Sequence, residues 1–353
     1  MRYKLLGHTG VRVSEFSLGT MTINSTNPWG WGVRSKEESL NIIRTYYEAG
    51  GNFIDTANNY TNGESERVIG EFMADYDRDE FFIATKFTLH NNETEAARKN
   101  PNFGGNSRKN LLRSVHASLE RLDTDYIDML YLHVWDYTTS ITEVMKSLNS
   151  LVDSHTVNYI AISDTPVWVA AQAQMMARER GWEEFAAFQF PFNMGRQDPQ
   201  HELIPFARYN DIAMVPWNVL GTGIFTGKYT RDGNVNQGRI AGSEKPEELL
   251  RIAREIDAIA DECEVSSAAV TLAWTKQVDP RMIPIIGATR SEHIVQVLDG
   301  LDFKLTQDHL QRLEEVIAFK RQFPASFTGS DNVHKLIHGE SGEKLDNHRF
   351  LGF

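Results

Sequence analysis

With 353 residues, 41% of them hydrophobic and 24% charged, the chain has the composition of a folded globular protein and the length of one large domain or two ordinary ones. Its formal net charge of -12 is relieved by no basic patch, the densest group being Arg108, Lys109 and Arg113, which argues against nucleic acid or an anionic membrane as partner. Cys263 is the single cysteine, so no intramolecular disulfide forms; no apolar leader opens the sequence and no window offers the roughly 20 apolar residues of a membrane span, and a cytoplasmic protein is expected.

In chain order, residues 3–6 and 11–13 flank Gly7-His8-Thr9-Gly10 and predict a hairpin suited to plugging the bottom of a barrel. Short apolar runs follow at 16–18, 52–55, 81–86, 127–133, 159–163, 186–189, 212–217 and 282–287, and read as buried parallel strands. Amphipathic helical patterns lie between them, such as Leu40, Ile43 and Tyr47 after Ser35, and Leu111, Leu112, Val115, Leu119 and Leu122 after Ser107. Ser35 and Glu38 have the spacing of a capping box. Eight alternating units predict an α/β fold, a (β/α)8 barrel of the TIM type, in preference to an open doubly wound sheet. Two polar stretches, 90–105 and 230–246, have the length of lids or disordered segments. The barrel is expected to fill residues 1–322 as a single domain, with 323–353 as a C-terminal tail.

Function in a parallel barrel gathers at the C-terminal ends of the strands. Asp55, Lys86, His133, Ser163, Gln189 and Trp217 stand there, and Tyr60 follows Asp55 in the next loop. Singly, each has a structural explanation as a cap, a solvated strand end or a packed ring. Together they suit protonation of a carbonyl oxygen, because a tyrosine of pKa about 10 needs a neighbouring cation to act near neutrality, and Lys86 supplies one. Asp55 would hold Lys86 charged, and His133 would donate a hydrogen bond that orients the carbonyl or the phenol. No side chain donates hydride, so a nicotinamide is implied. Trp29, Trp31, Trp135 and Phe192 fall in loops at the same end and point to an apolar planar substrate, aryl aldehydes above all. After the strand ending at Trp217, the glycines of Gly221-Thr222-Gly223 allow backbone to approach a pyrophosphate, in a spacing that is neither a P-loop nor a dinucleotide fingerprint. Two other readings use the same residues: a Schiff-base aldolase acting through Lys86, and a nicotinamide-binding regulatory subunit with slow turnover.

The run Asn52-Phe53-Ile54-Asp55-Thr56-Ala57-Asn58-Asn59-Tyr60, with Gly63-Glu64-Ser65-Glu66 and Ile69-Gly70, resembles the most specific segment of the aldo-keto reductase superfamily. Ala84-Thr85-Lys86 and Asp128-Met129-Leu130-Tyr131-Leu132-His133 extend the resemblance, which reaches the start of the tail. His133-Val134-Trp135-Asp136-Tyr137-Thr138-Thr139-Ser140 and Ile162-Ser163-Asp164-Thr165-Pro166 are similar to the fungal-type aryl-alcohol dehydrogenases.

This resemblance implies NADP(H) as cofactor, a small carbonyl or alcohol substrate, no metal, and a catalytic tetrad of Asp55, Tyr60, Lys86 and His133. It implies that Ser163, Asp164 and Gln189 hold the nicotinamide carboxamide and that Trp217 stacks on the ring. Gly19, Thr20 and Met21, with Asn218, Leu220, Gly221, Gly223 and Lys228, are the implied contacts along the cofactor, and Gly287, Thr289, Arg290 and His293 those of its adenosine end, Arg290 gripping a 2′-phosphate. The chain departs from the family pattern at Asp164, where most members have Asn, and at Gln296 and Val297, where Glu and Asn are usual.

Overall fold

The structure, a computed structural model, describes residues 1–23, 32–33, 35–231, 246–328 and 336–344. It begins with the hairpin: β1 (Tyr3–Leu5) and β2 (Arg12–Ser14) pair antiparallel, with Tyr3 opposite Ser14. β3 (Ser17–Gly19) opens the barrel and leads through α1 (Lys36–Glu48) to β4 (Phe53–Asp55). α2 (Glu64–Met73), β5 (Phe82–Phe87), a short α3 (Glu95–Lys99), α4 (Arg108–Leu122) and β6 (Ile127–Leu132) follow. The second half runs α5 (Ile141–Asp153), β7 (Val157–Ser163), α6 (Val167–Arg180), β8 (Phe185–Pro191), α7 (Leu203–Tyr209) and β9 (Ala213–Trp217). After α8 (Lys228–Arg231), α9 (Pro246–Cys263) and α10 (Ser267–Val278) come β10 (Ile285–Gly287), α11 (Ser291–Asp299), α12 (Gln307–Ile317) and α13 (Ala325–Thr328).

The eight strands of the main sheet are hydrogen-bonded in the order β10, β3, β4, β5, β6, β7, β8, β9, all parallel. A parallel bridge from Met214 to Met282, with Ile283 N donating to Met214 O at 2.8 Å, brings the two ends together, and the sheet is a nearly closed (β/α)8 barrel. Pro284 explains why the last strand is shorter than its apolar run: proline has no N–H for a ladder, so regular pairing begins at Ile285.

Alternation along the strands decides which residues reach the mouth. Phe53, Ala84, Tyr131, Ala161, Ala187 and Val215 point inward and fill the barrel with Phe82, Met129, Ala213 and Ile283. Two positions further along each strand, on the same face, stand Asp55, Lys86, His133, Ser163, Gln189 and Trp217. The intervening residues, among them Leu130, Leu132, Ile160, Ile162 and Phe188, face outward and pack with α4 to α7 in the larger core. Helix starts are fixed by hydroxyl caps: Ser35, Ser107, Ser140, Ser266 and Thr306 each accept a first-turn backbone N–H.

Three local expectations are corrected. The polar stretch 90–105 carries α3, capped by Thr94, and a 3-10 turn at Pro101–Phe103. Leu112, counted with the apolar face of α4, is exposed. The Ser35 and Glu38 pair is half a capping box: Glu38 N donates to Ser35 Oγ, but the Glu38 carboxylate turns away and accepts from Ser291 N at 2.7 Å, at the start of α11. The greater part of the stretch 230–246 lies outside the described residues. Among the described residues no helix is long and apolar enough to cross a membrane.

The hairpin lies under the barrel. Leu6 joins the interior cluster, and Gly7, at φ 56°, is so close to the starts of β8 and β9 that a Cβ there would sit 2.6 Å from Asp211 O and 2.8 Å from Ala186 O. Backbone cannot yield as a flexible side chain does, and the left-handed φ adds its own penalty. Gly7→Ala is therefore expected to cost about 2 kcal/mol of stability, read as a lower urea midpoint at unchanged slope; an unchanged midpoint would mean that the plug is not packed against the barrel.

Candidate active site

At the mouth, Lys86 has no exposed surface, and its Nζ meets Asp55 Oδ1 at 2.5 Å, Thr56 O at 2.8 Å and Tyr60 Oη at 3.3 Å. Gln189 Nε2 donates to the other carboxylate oxygen of Asp55 at 2.8 Å. Burial disfavours the ammonium, but the Asp55 carboxylate and Tyr60 outweigh it and hold Lys86 above its ordinary pKa. For the Tyr60 phenol the balance falls the other way: burial raises its pKa and Lys86 draws it only partly back. Tyr60 is thus a protonated acid at neutral pH, whereas sequence reasoning expected the cation to bring it down.

The ring of His133 lies edge-on to that of Tyr60, centroids 5.9 Å apart. Burial first, and the Lys86 charge second, push His133 well below the usual imidazole range, so it is neutral. His133 Nδ1 and Ser163 Oγ are buried and have no hydrogen-bond partner among the described residues. Such groups mark places where a ligand or water completes the bonding.

Around this centre the other candidates fall into groups. Thr20 is buried and tied to Asp55 O, Oγ1 donating at 2.9 Å, while Gly19 ends β3 and Met21 is exposed. Asp164, at φ 40°, accepts from Trp217 Nε1 at 3.3 Å, so these two candidates bind each other. From Asn218 the backbone turns repeatedly left-handed, at Asn218, Gly221, Thr222, Gly223 and Gly227, with Asn218 Oδ1 accepting from Thr222 N at 2.7 Å. Leu220 is half-buried and Lys228 exposed beside this turn. At the end of β10, Gly287, Thr289, Arg290 and His293 are all exposed. Partial desolvation of the ring, although its surface is largely open, and the Arg290 charge lower the His293 pKa, with Lys228 acting in the same direction, so the three basic groups share one region.

Two of the four aromatic candidates, Trp135 and Phe192, fall among the described residues. Trp29 and Trp31 lie outside the described residues. Phe192 is fully buried and stacks on Trp274, centroids 5.4 Å apart, so it packs the core rather than the mouth. Trp135 is half-buried and borders a small apolar pocket with Leu132, Ile141 and Met145. Val297 is likewise a core residue, while Gln296 is exposed. Sequence reasoning missed Tyr131, whose ring lies 5.5 Å from Lys86 Nζ; its place two residues before His133 on the inward face was the available signal.

Parallel strand ends thus converge on a buried lysine, a carboxylate and a phenol, and comparison with known proteins gives the family of this barrel. Residues 15–318 match the model of the Aldo/keto reductase family. The chain belongs to that family and is an oxidoreductase. It is 37% identical to aryl-alcohol dehydrogenase GME11368 of Pestalotiopsis microspora, over 93% of this chain and 85% of that protein. It is 38% identical to norsolorinic acid reductase B of Dothistroma septosporum, over 93% and 84%. With the aryl-alcohol dehydrogenase (NADP(+)) of Phanerodontia chrysosporium it shares 34% identity, over 94% and 90%.

The neutral His133 has a consequence for stability. Below about pH 6.5 the unfolded chain protonates this imidazole and the folded chain does not, so the unfolded state binds more protons and stability falls as the pH falls. The expected result is that His133→Gln flattens the decline of Tm between about pH 6.5 and 5; an undiminished decline would show that His133 is not held neutral.

Proposed function

We propose that the chain reduces aldehydes and ketones, aryl aldehydes foremost, to alcohols with NADPH, and that Tyr60 is the acid. The observation that carries this reading is the contact of Lys86 Nζ with Tyr60 Oη at 3.3 Å, made by a lysine wholly buried on Asp55. The names of the relatives, aryl-alcohol dehydrogenases and norsolorinic acid reductases, support carbonyl reduction and the aryl class.

A bound nicotinamide supplies the hydride that goes to the carbonyl carbon. The protein's part is the proton and its control. Tyr60 Oη gives its proton to the carbonyl oxygen, completing the alcohol, and the Lys86 ammonium stabilises the phenolate until solvent returns a proton. Asp55 keeps that ammonium charged, and the neutral His133 has an N–H to offer the carbonyl oxygen. The orphaned Ser163 hydroxyl, paired in register with Gln189, fits a carboxamide, and the left-handed turn from Asn218 to Gly227 fits a pyrophosphate. Arg290, with His293 and Lys228 close by, favours the 2′-phosphate of NADPH over the free ribose of NADH. A Schiff-base role for Lys86 is disfavoured, because an ammonium held above its ordinary pKa is not a nucleophile.

Tyr60→Phe is expected to lower kcat for benzaldehyde by about 10²–10⁴-fold while the quenching of tryptophan fluorescence by NADPH is unchanged. Full turnover in that variant would end the reading. Because burial keeps Tyr60 protonated, the reduction rate of the parent protein is expected to hold through neutrality and fall only above about pH 10. Arg290→Ala is expected to weaken NADPH about tenfold and NADH little, measured by titration; equal losses would remove Arg290 from cofactor choice.

A further inference from the structure

The loop carrying Tyr60 is strained. Thr61, Asn62 and Gly63 are consecutively left-handed, at φ 47°, 57° and 93°, although two of them have a Cβ. Something must hold such a turn in place. Within the loop there are only backbone turn bonds, Tyr60 N to Ala57 O at 3.1 Å, Asn62 N to Asn59 O at 3.2 Å and Glu64 N to Thr61 O, and from outside it Thr61 Oγ1 reaches Ile23 O at 3.4 Å.

Behind the turn lies Arg121 of α4. It is almost wholly buried, and its side chain covers Gly63 so closely that a Cβ there would sit 2.7 Å from Arg121 Cδ. Arg121 Nε donates to Glu66 Oε2 at 2.7 Å, and the other Glu66 oxygen accepts from Thr85 Oγ1 at 2.5 Å. Glu66 has no exposed surface, and Thr85 is the outward-facing residue just before Lys86. In the opposite direction, Arg121 NH1 donates to Glu93 Oε2 at 3.2 Å. Glu93 N donates to Asn91 Oδ1 at 2.8 Å, and Asn91 Nδ2 donates to Asn58 O. Asn58 N in turn bonds Lys86 O at 3.1 Å.

The bonds form a circuit. It starts at Thr85, one residue before Lys86, passes through Glu66, Arg121, Glu93 and Asn91, and returns at Asn58, two residues before Tyr60. We propose that this buried circuit, with Arg121 at its centre, is a positioning device that sets the Tyr60 phenol against the Lys86 ammonium. None of its charged members touches the reacting atoms. Its outer member, Glu93, lies in the loop after β5 with a third of its side chain exposed, so the order of that loop is transmitted to the acid.

Geometry at this scale matters to rate: an acid displaced by a fraction of an ångström loses its advantage. The role differs from mere scaffolding in what it predicts, since a brace on one acid changes proton transfer and leaves cofactor binding alone. This rests on Tyr60 being the acid, so Tyr60→Phe is measured alongside.

The experiment uses the full chain with NADPH and benzaldehyde, comparing Arg121→Met, Glu93→Ala and Glu93→Gln with the parent. Arg121→Met and Glu93→Ala are expected to lower kcat about tenfold, with the NADPH Kd within about twofold and the alkaline limb of the pH profile moved upward as the phenol loses its cation. Glu93→Gln, which keeps an acceptor, is expected to recover part of the loss. Should Arg121→Met fail to fold because Glu66 is left unpaired, the two Glu93 variants decide, since a third of the Glu93 side chain is exposed. A folded Arg121→Met or Glu93→Ala protein with the parent's kcat and alkaline limb, even at a lower Tm, would overturn the proposal. If Tyr60→Phe kept its turnover, the fault would lie instead with the reading of Tyr60.

Discussion

Placing a lysine ammonium where it has no exposed surface is tolerable only if its lost hydration is replaced, and at Lys86 the replacement is complete. Asp55 Oδ1, the Thr56 carbonyl and the Tyr60 hydroxyl each accept from or face the three-donor head. The carboxylate is satisfied in turn, with Gln189 on its second oxygen. Removing one partner of such a pair leaves an uncompensated charge and costs several kcal/mol, which is why a pair of this kind is poor insulation for stability but good at fixing geometry. The barrel supplies that geometry cheaply. Asp55 lies opposite Ala84 in the register of β4 and β5, and Lys86 is the next inward residue, so the pair is a diagonal across adjacent strands.

The same charge sets the proton states around it. Lys86 and burial act together on His133, both against protonation, and the imidazole stays neutral. On Tyr60 they act against each other, and burial prevails. One fixed cation thus stands between a neutral donor and a protonated phenol. That division of states follows from distance and desolvation, with no need for titration near neutral pH.

Much of this was legible in the sequence because a parallel barrel obeys two simple periods. Eight apolar runs gave eight strands, and function in such a barrel gathers at the C-terminal strand ends, so Asp55, Lys86, His133, Ser163, Gln189 and Trp217 could be named as the residues that close the runs. What failed were statements about residues in loops and at helix ends, where no period constrains direction. Phe192 follows β8 and turns into the core against Trp274, as any apolar ring will when a cavity is offered. Glu38 has the spacing of a local cap, but the nearer unsatisfied donor is Ser291 N, more than two hundred residues away in sequence. The circuit through Arg121 was equally hidden, since its members come from α2, α4, β5 and the loop after β5, and only the closed barrel brings them into contact.

Hydrogen-bond accounting at the mouth also decides where a ligand gains affinity. Gln189 is already bonded to Asp55, and the Trp217 indole N–H to Asp164, so a ligand that takes over either donor breaks a bond to make one and gains little net free energy. Ser163 Oγ and His133 Nδ1 are different, because each is buried with no partner among the described residues and carries its desolvation cost already. A ligand group that meets them relieves that cost in full. With Tyr131 Oη, also buried and unpartnered among the described residues, they stand on the inward ends of β6 and β7, beside Lys86 and Tyr60. It is the barrel's period-two alternation, repeated on adjacent strands, that puts the unpartnered polar atoms beside the Lys86 and Tyr60 pair.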